Sequence, residues 1–239
     1  VQEIPCLSFD ECQKVINSID KNQQKWLPIN FRETQEKLPF FSLGVGITYI
    51  VTKRYGNQTL GYSDWAKHEN SWMLEEFGWF YDRVVSVLSH FLQAPVQFNS
   101  ELSIPGFHIF LYHHLFTQPL GIVHCDRQHL DLGFSGKEAD LENPISFTVS
   151  LELPKSGSGI DFWDVHFREI EKVSQADFIA AVKKAEHSYH PYSVGNMVIH
   201  SGYHAHRIAP VSQMQTSDRR ITMQGHGVKL HSGEWLVYW

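Results

Sequence analysis

The sequence is poor in cysteine. It has three, Cys6, Cys12 and Cys125, in 239 residues. So sparse and odd a set excludes a disulfide framework and fits a reducing compartment. Clustered positive charge is also missing. The 20 Lys and Arg stand against 26 Asp and Glu, for a net charge of −6. This excludes nucleic acid and anionic membrane as electrostatically steered partners. A small anionic cosubstrate would need a local positive site. No apolar run is long enough to span a bilayer, and no leader is visible. A cytoplasmic location is the expectation, with the oligomeric state left open.

What is present is a core. Hydrophobic residues make up 42% and aromatics 13%, which marks a packed globular chain. Its length suits a single domain over 1–239. The unusual abundance is 15 histidines, scattered along the chain. Histidine is the commonest transition-metal ligand.

Helical texture comes first. Ser8-Phe9-Asp10-Glu11 reads as a capping box, and Cys12, Val15, Ile16 and Ile19 follow at helical spacing. Phe40 to Thr52 reads as a strand. A stripe from Trp72 through Phe77, Phe80, Tyr81, Val84, Leu88 and Phe91 predicts a second helix with Pro95 beyond its end. From Phe107 the pattern becomes short strands: Phe107–Tyr112, Gly121–Asp126, Ser146–Leu153, Gly159–Val165, Val194–Gly202, His204–Ala209, Arg219–Val228 and Glu234–Tyr238. Turn residues punctuate them, which predicts a sandwich or barrel. One helix, about 174–187, interrupts the strands.

Within Gly121-Ile122-Val123-His124-Cys125-Asp126, His124 and Asp126 stand at i and i+2. On a strand such residues share a face, with Cα atoms roughly 6–7 Å apart. An imidazole and a carboxylate can converge there on one ion. A second His would complete a facial triad suited to Fe(II). His-x-Asp alone is a weak signal, since His129-Leu130-Asp131 repeats it. For the third ligand, His200, His204 and His206 share parity on a continuous strand, and a bulge at Gly202 could change it.

The distal half adds His204-Ala205-His206-Arg207-Ile208-Ala209-Pro210-Val211 and then Arg219-Arg220-Ile221-Thr222. With His124-Cys125-Asp126 and the Gly157-Ser158-Gly159 strand entry, this order resembles the Fe(II)/2-oxoglutarate-dependent dioxygenase superfamily, especially its prolyl-hydroxylase-like branch. The resemblance covers about residues 105–230. It implies a double-stranded β-helix, a jelly-roll or cupin-like barrel that is mainly β with flanking α-helices. Residues 1–100 would be a supporting region, and 105–239 the catalytic core with the helical insertion. The Pro-Val offset favours His206, so the implied metal ligands are His124, Asp126 and His206. Arg220 would grip the distal carboxylate of 2-oxoglutarate, with Thr222 at i+2 reaching the same group.

The implied activity is hydroxylation of an unactivated C–H bond, using O2 and converting 2-oxoglutarate to succinate and CO2. A carboxylate at 126 favours hydroxylation, desaturation or ring formation over halogenation. The expected substrate is a small metabolite, an amino acid or a natural-product intermediate, with Arg127, Tyr112 and Trp163 as candidate contacts. A peptidyl or protein side chain is the second choice. A non-catalytic cupin-like metal-binding module is the alternative from another class.

Overall fold

The computed structural model describes residues 1–29, 37–47, 60–171 and 173–239. The first part of the chain holds β1 (Gln2–Pro5), α1 (Phe9–Lys21), β2 (Leu27–Pro28), β3 (Phe40–Leu43), α2 (Leu60–Leu92) and β4 (Val96–Gln97). Then come β5 (Gly106–Phe110), α3 (Gln128–Asp131), β6 (Ala139–Glu152), β7 (Gly159–His166), α4 (Phe167–Ile170) and α5 (Gln175–Lys184). The chain ends with β8 (His187–Pro191), β9 (Asn196–Ser201), β10 (His204–Ile208), β11 (Arg220–Leu230) and β12 (Trp235–Tyr238).

Two sheets form. The larger runs β1-β9-β6-β11-β5-β3-β2, with β12 on β11 and β4 on β12; the smaller runs β10-β7-β8. They face each other: Phe162 of β7 meets His200 of β9, ring centroids 5.1 Å apart. Ile160, Phe162, Tyr192 and Val198 pack together between them. This is a double-stranded β-helix, the jelly-roll barrel.

Alternation along the large sheet decides which way it is polar. On β6, Phe147, Val149 and Leu151 join the main core with residues of α1 and α2. Ser146, Thr148 and Ser150 point the other way, into the barrel. The register extends that polar face sideways. Ser146 lies opposite His226 and His200, Thr148 opposite Gln224 and Val198, and Ser150 opposite Thr222. The main apolar core is therefore outside the barrel wall, under the helices, and this face of the interior carries hydroxyls, imidazoles and Arg220. Each large side chain buried in the outer layer contributes about 1.5–3 kcal/mol.

Local signals set the ends of the elements. The Ser8 capping box forms in full: Glu11 N–H donates to Ser8 Oγ, and Ser8 N–H to Glu11 Oε2. Several boundaries differ from expectation, β6 among them, which begins seven residues before the expected Ser146. The strand from Phe40 stops at Leu43, where Gly44 takes φ +97°; residues 48–52 lie outside the described residues. The inserted helix ends at Lys184, and His187–Pro191 pairs with β7 as β8. Gly121–Asp126 is not a strand, because it pairs at a single point, His124 with His206. Among the described residues no helix is long and apolar enough to cross a membrane.

Candidate functional site

That single pairing point builds a cluster. His124 N–H donates to His206 O at 3.0 Å, His206 N–H to His124 O at 2.9 Å, and Asp126 N–H to Gly202 O at 2.7 Å. One ligand atom each from His124, Asp126 and His206 then lies within 4.8 Å of the others. His206 Nε2 is 3.2 Å from Asp126 Oδ2, and His124 Nε2 is 3.6 Å from Oδ1.

Each member is oriented from behind. His124 Nδ1 sits 2.8 Å from the Ile122 carbonyl oxygen, and His206 Nδ1 2.8 Å from that of His204. A carbonyl only accepts, so Nδ1 of each ring donates and Nε2 is turned toward the carboxylate, which His206 also bonds. Asp126 Oδ2 accepts from Ser146 Oγ at 2.6 Å, and Ser146 Oγ in turn accepts from His226 Nδ1 at 3.1 Å. Gln128 Nε2 donates to Oδ1 at 3.3 Å.

Burial opposes ionisation of Asp126, but His206, His226 and His124 outweigh it and hold the carboxyl well below the usual range. Burial also opposes charge on His206, yet Asp126 raises its pKa. The cluster is thus organised to surround positive charge. Asp126 and His206 are buried, while the His124 ring is half exposed and marks the opening.

The competing histidines resolve by position. The β10–β7 register shifts between His204 and Ala205, so β-alternation breaks there; His204 is exposed and His206 buried. His200 is buried beside the cluster, its ring 4.7 Å from His206, and burial first of all pulls it down to about 3. His129 is buried with Nε2 2.8 Å from the Tyr203 hydroxyl, which itself donates to Leu141 O at 2.6 Å. Asp131 is exposed, so His129 and Asp131 do not form a second ligand pair.

Arg220 begins β11 and is 4% exposed. Its Nε and Nη2 have no hydrogen-bond partner among the described residues. The guanidinium lies 5.5 Å from the Phe110 ring centroid and 5.4 Å from that of Tyr192, whose hydroxyl it also bonds. Burial lowers its pKa to about 10 against the opposing pull of Tyr192, so it stays charged at neutral pH. Thr222 Oγ1 and Ser150 Oγ, cross-strand neighbours, are likewise buried and unpartnered. A buried cation costs several kcal/mol unless an anion compensates it. Gln118 apart, the cleft at this end is otherwise apolar, walled by Phe110, Phe116, Leu120, Ile208 and Val211.

The other expected contacts lie farther out. Arg127 is exposed with its guanidinium 5.3 Å from the Phe167 ring, and Tyr112 is 39% exposed past the end of β5. Trp163 is half-buried on β7, and Arg207 stacks on it at 5.0 Å while bonding Asp161 at 3.1 and 3.2 Å. Among the described residues no hydrogen bond or ring contact joins these three to the cluster. Sequence reasoning missed Ser146, Ser150, Tyr192 and His226. The first two had a signal: Ser146, Thr148 and Ser150 alternate with apolar residues on one strand.

No protein-family model matches the sequence, and no curated protein is significantly similar to it. Solved structures do share its shape. The non-haem alpha-ketoglutarate-dependent carbocyclase SnoK from nogalamycin biosynthesis superposes with a TM-score of 0.51 at 12% identity, over 97% of this chain and 81% of that one. A prolyl-4-hydroxylase from Pseudomonas putida gives 0.40 at 12%, over 95% and 90%. An N-substituted L-amino acid dioxygenase from Burkholderia ambifaria AMMD, in complex with alpha-ketoglutarate, gives 0.39 at 13%, over 57% of this chain and 52% of that one. Of these three, SnoK carries the comparison, and at that identity it establishes a common fold.

Proposed function

We propose that this chain is a non-haem Fe(II)/2-oxoglutarate-dependent oxygenase that hydroxylates a C–H bond of a small molecule. The observation that carries the reading is Arg220: a buried guanidinium with two unpartnered nitrogens, in the same barrel interior as a His-Asp-His cluster. The donor set fits the metal, since two imidazoles and a carboxylate on one face suit Fe(II) and leave positions open. The guanidinium and two orphaned hydroxyls fit the far carboxylate of 2-oxoglutarate. The shared fold with SnoK agrees with both.

In this reading His124, Asp126 and His206 would hold iron by their imidazoles and carboxylate. Iron with 2-oxoglutarate supplies oxidative decarboxylation coupled to dioxygen activation, yielding succinate and CO2. The chain supplies the rest. The Ile122 and His204 carbonyls fix both imidazole tautomers. Ser146 holds Asp126 from the second side. Arg220, with Thr222 and Ser150, sets how deep the dicarboxylate enters. Phe110 and Phe116 keep water from that end, where a drier surround strengthens the ion pair.

The test is anaerobic. Fe(II) and then 2-oxoglutarate are added to the metal-free protein and the visible spectrum is recorded. A weak charge-transfer band requiring both additions is expected, and His124→Ala, Asp126→Ala and His206→Ala each abolish it. Arg220→Ala raises the 2-oxoglutarate concentration needed about a hundredfold, the loss of two charge-assisted hydrogen bonds. Iron binding without a band points to another cosubstrate, and no iron binding points to a non-catalytic cupin-like module.

A further inference from the structure

Two clefts flank the His206 strand, and their polarities are opposite. Gln118 apart, the one beyond Ile208 is apolar around the Arg220 cation. The other is walled by Phe162, Trp163, Asp164, Glu186, His200 and Ser201; Val1 and His204 also line it, and no lysine or arginine side chain does. It touches the metal cluster directly. The His200 and Phe162 rings lie 4.7 and 6.1 Å from the ring of His206.

Two carboxylates and a buried imidazole line this second cleft. His200 is 7% exposed, and its Nδ1 sits 3.0 Å from the Ser201 carbonyl. Nδ1 is therefore the donor, which leaves Nε2 an unpartnered acceptor among the described residues. Asp164 and Glu186 are held side by side, because Asp164 N–H donates to Glu186 O at 3.0 Å. Among the described residues neither carboxylate has a hydrogen bond or an ion pair. Asp161, on the same strand, is the contrast: Arg207 and His187 saturate it at 3.1 and 3.0 Å. Arg207, the cation stacked on Trp163, is thus already committed to Asp161. An ammonium group brings three donors and one positive charge, and it favours the faces of aromatic rings.

We propose that this cleft is the substrate subsite and takes a small molecule bearing a protonated amine. The ammonium sits at Asp164 and Glu186, and the carbon skeleton runs along Phe162 toward His206. The assignment of this ligand as substrate rests on the oxygenase reading; the binding itself does not.

The experiment uses 2-phenylethylamine, with 2-phenylethanol and phenylacetate as its neutral and anionic counterparts. Calorimetry on the metal-free protein measures all three, and the same protein is scored separately for the iron and 2-oxoglutarate band. The amine is expected to bind at least about tenfold more tightly than either counterpart. The double variant Asp164→Asn, Glu186→Gln, at two exposed positions, is expected to lose that preference while forming the band unchanged. Equal binding of the three, preference for phenylacetate, no binding at millimolar probe, or a preference that survives in the variant each overturns the proposal. A missing band with amine selectivity intact overturns the oxygenase reading instead.

Discussion

A carboxylate that binds a metal through one oxygen needs its other oxygen held. In the proposed metal site Ser146 would do this for Asp126, from 2.6 Å, with His226 3.1 Å from the serine. Ser146→Ala removes the hold without touching a ligand. Iron affinity is expected to fall about 10–100-fold, the usual effect of losing an outer hydrogen bond to a ligand. Chelator competition measures it, and recovery in Ser146→Thr separates the hydroxyl from the space it fills. Unchanged affinity in the alanine variant would remove the role. At this scale the sequence was partly legible. The spacing of His124 and Asp126 is visible, but His129 and Asp131 share it, so spacing alone does not single the pair out. The choice of His206 over His204 could not come from alternation, because the register slip between 204 and 205 is not written in residue types. His226 gave no signal at all, since its partner Ser146 is 80 residues away.

At the scale of the element, β6 carries two tasks on two faces. Leu151 is fully buried under the helices, and Ser150 points inward with an unpartnered hydroxyl. Leu151→Ala should cost about 2–5 kcal/mol of unfolding free energy. Ser150→Ala should cost almost nothing or stabilise, because it removes a desolvated polar group, while weakening 2-oxoglutarate binding. Denaturant titration of both variants checks the contrast; equal losses would mean that the faces are not divided this way. The stretches most legible in the sequence are those with strict alternation, such as Ser146 to Leu151 of β6 and Arg220 to Met223 of β11. The sequence predicts no strand at β8, His187–Pro191, because all but one of its residues are exposed, leaving no apolar rhythm. Likewise Gly121–Asp126 had strand composition without a partner along its length.

For the whole molecule, buried neutral histidines set an acid limit. Burial holds His108 at about 3 and His129 at about 4. The unfolded chain protonates near pH 6.5, so between there and the folded values it takes up protons that the native state refuses. Stability contributed by each group is therefore present above about pH 6.5 and declines as pH falls, by about 1.4 kcal/mol per unit. His129→Gln keeps an amide donor for Tyr203 and removes the titration. Between pH 7 and 5 this variant should lose about 2 kcal/mol less than the parent, measured by denaturant unfolding at both values. Parallel losses would show that His129 is not held neutral.

The inside-out barrel has a further consequence for how such a chain can change over generations. Residues that keep it folded face the helices, and residues that meet ligands face the lumen, although both alternate along the same strands. A substitution at Thr148 or His200 alters what the lumen accepts, and the packed outer layer is left as it was. Inheritance can therefore explore new chemistry one lumen position at a time without first passing through an unfolded ancestor.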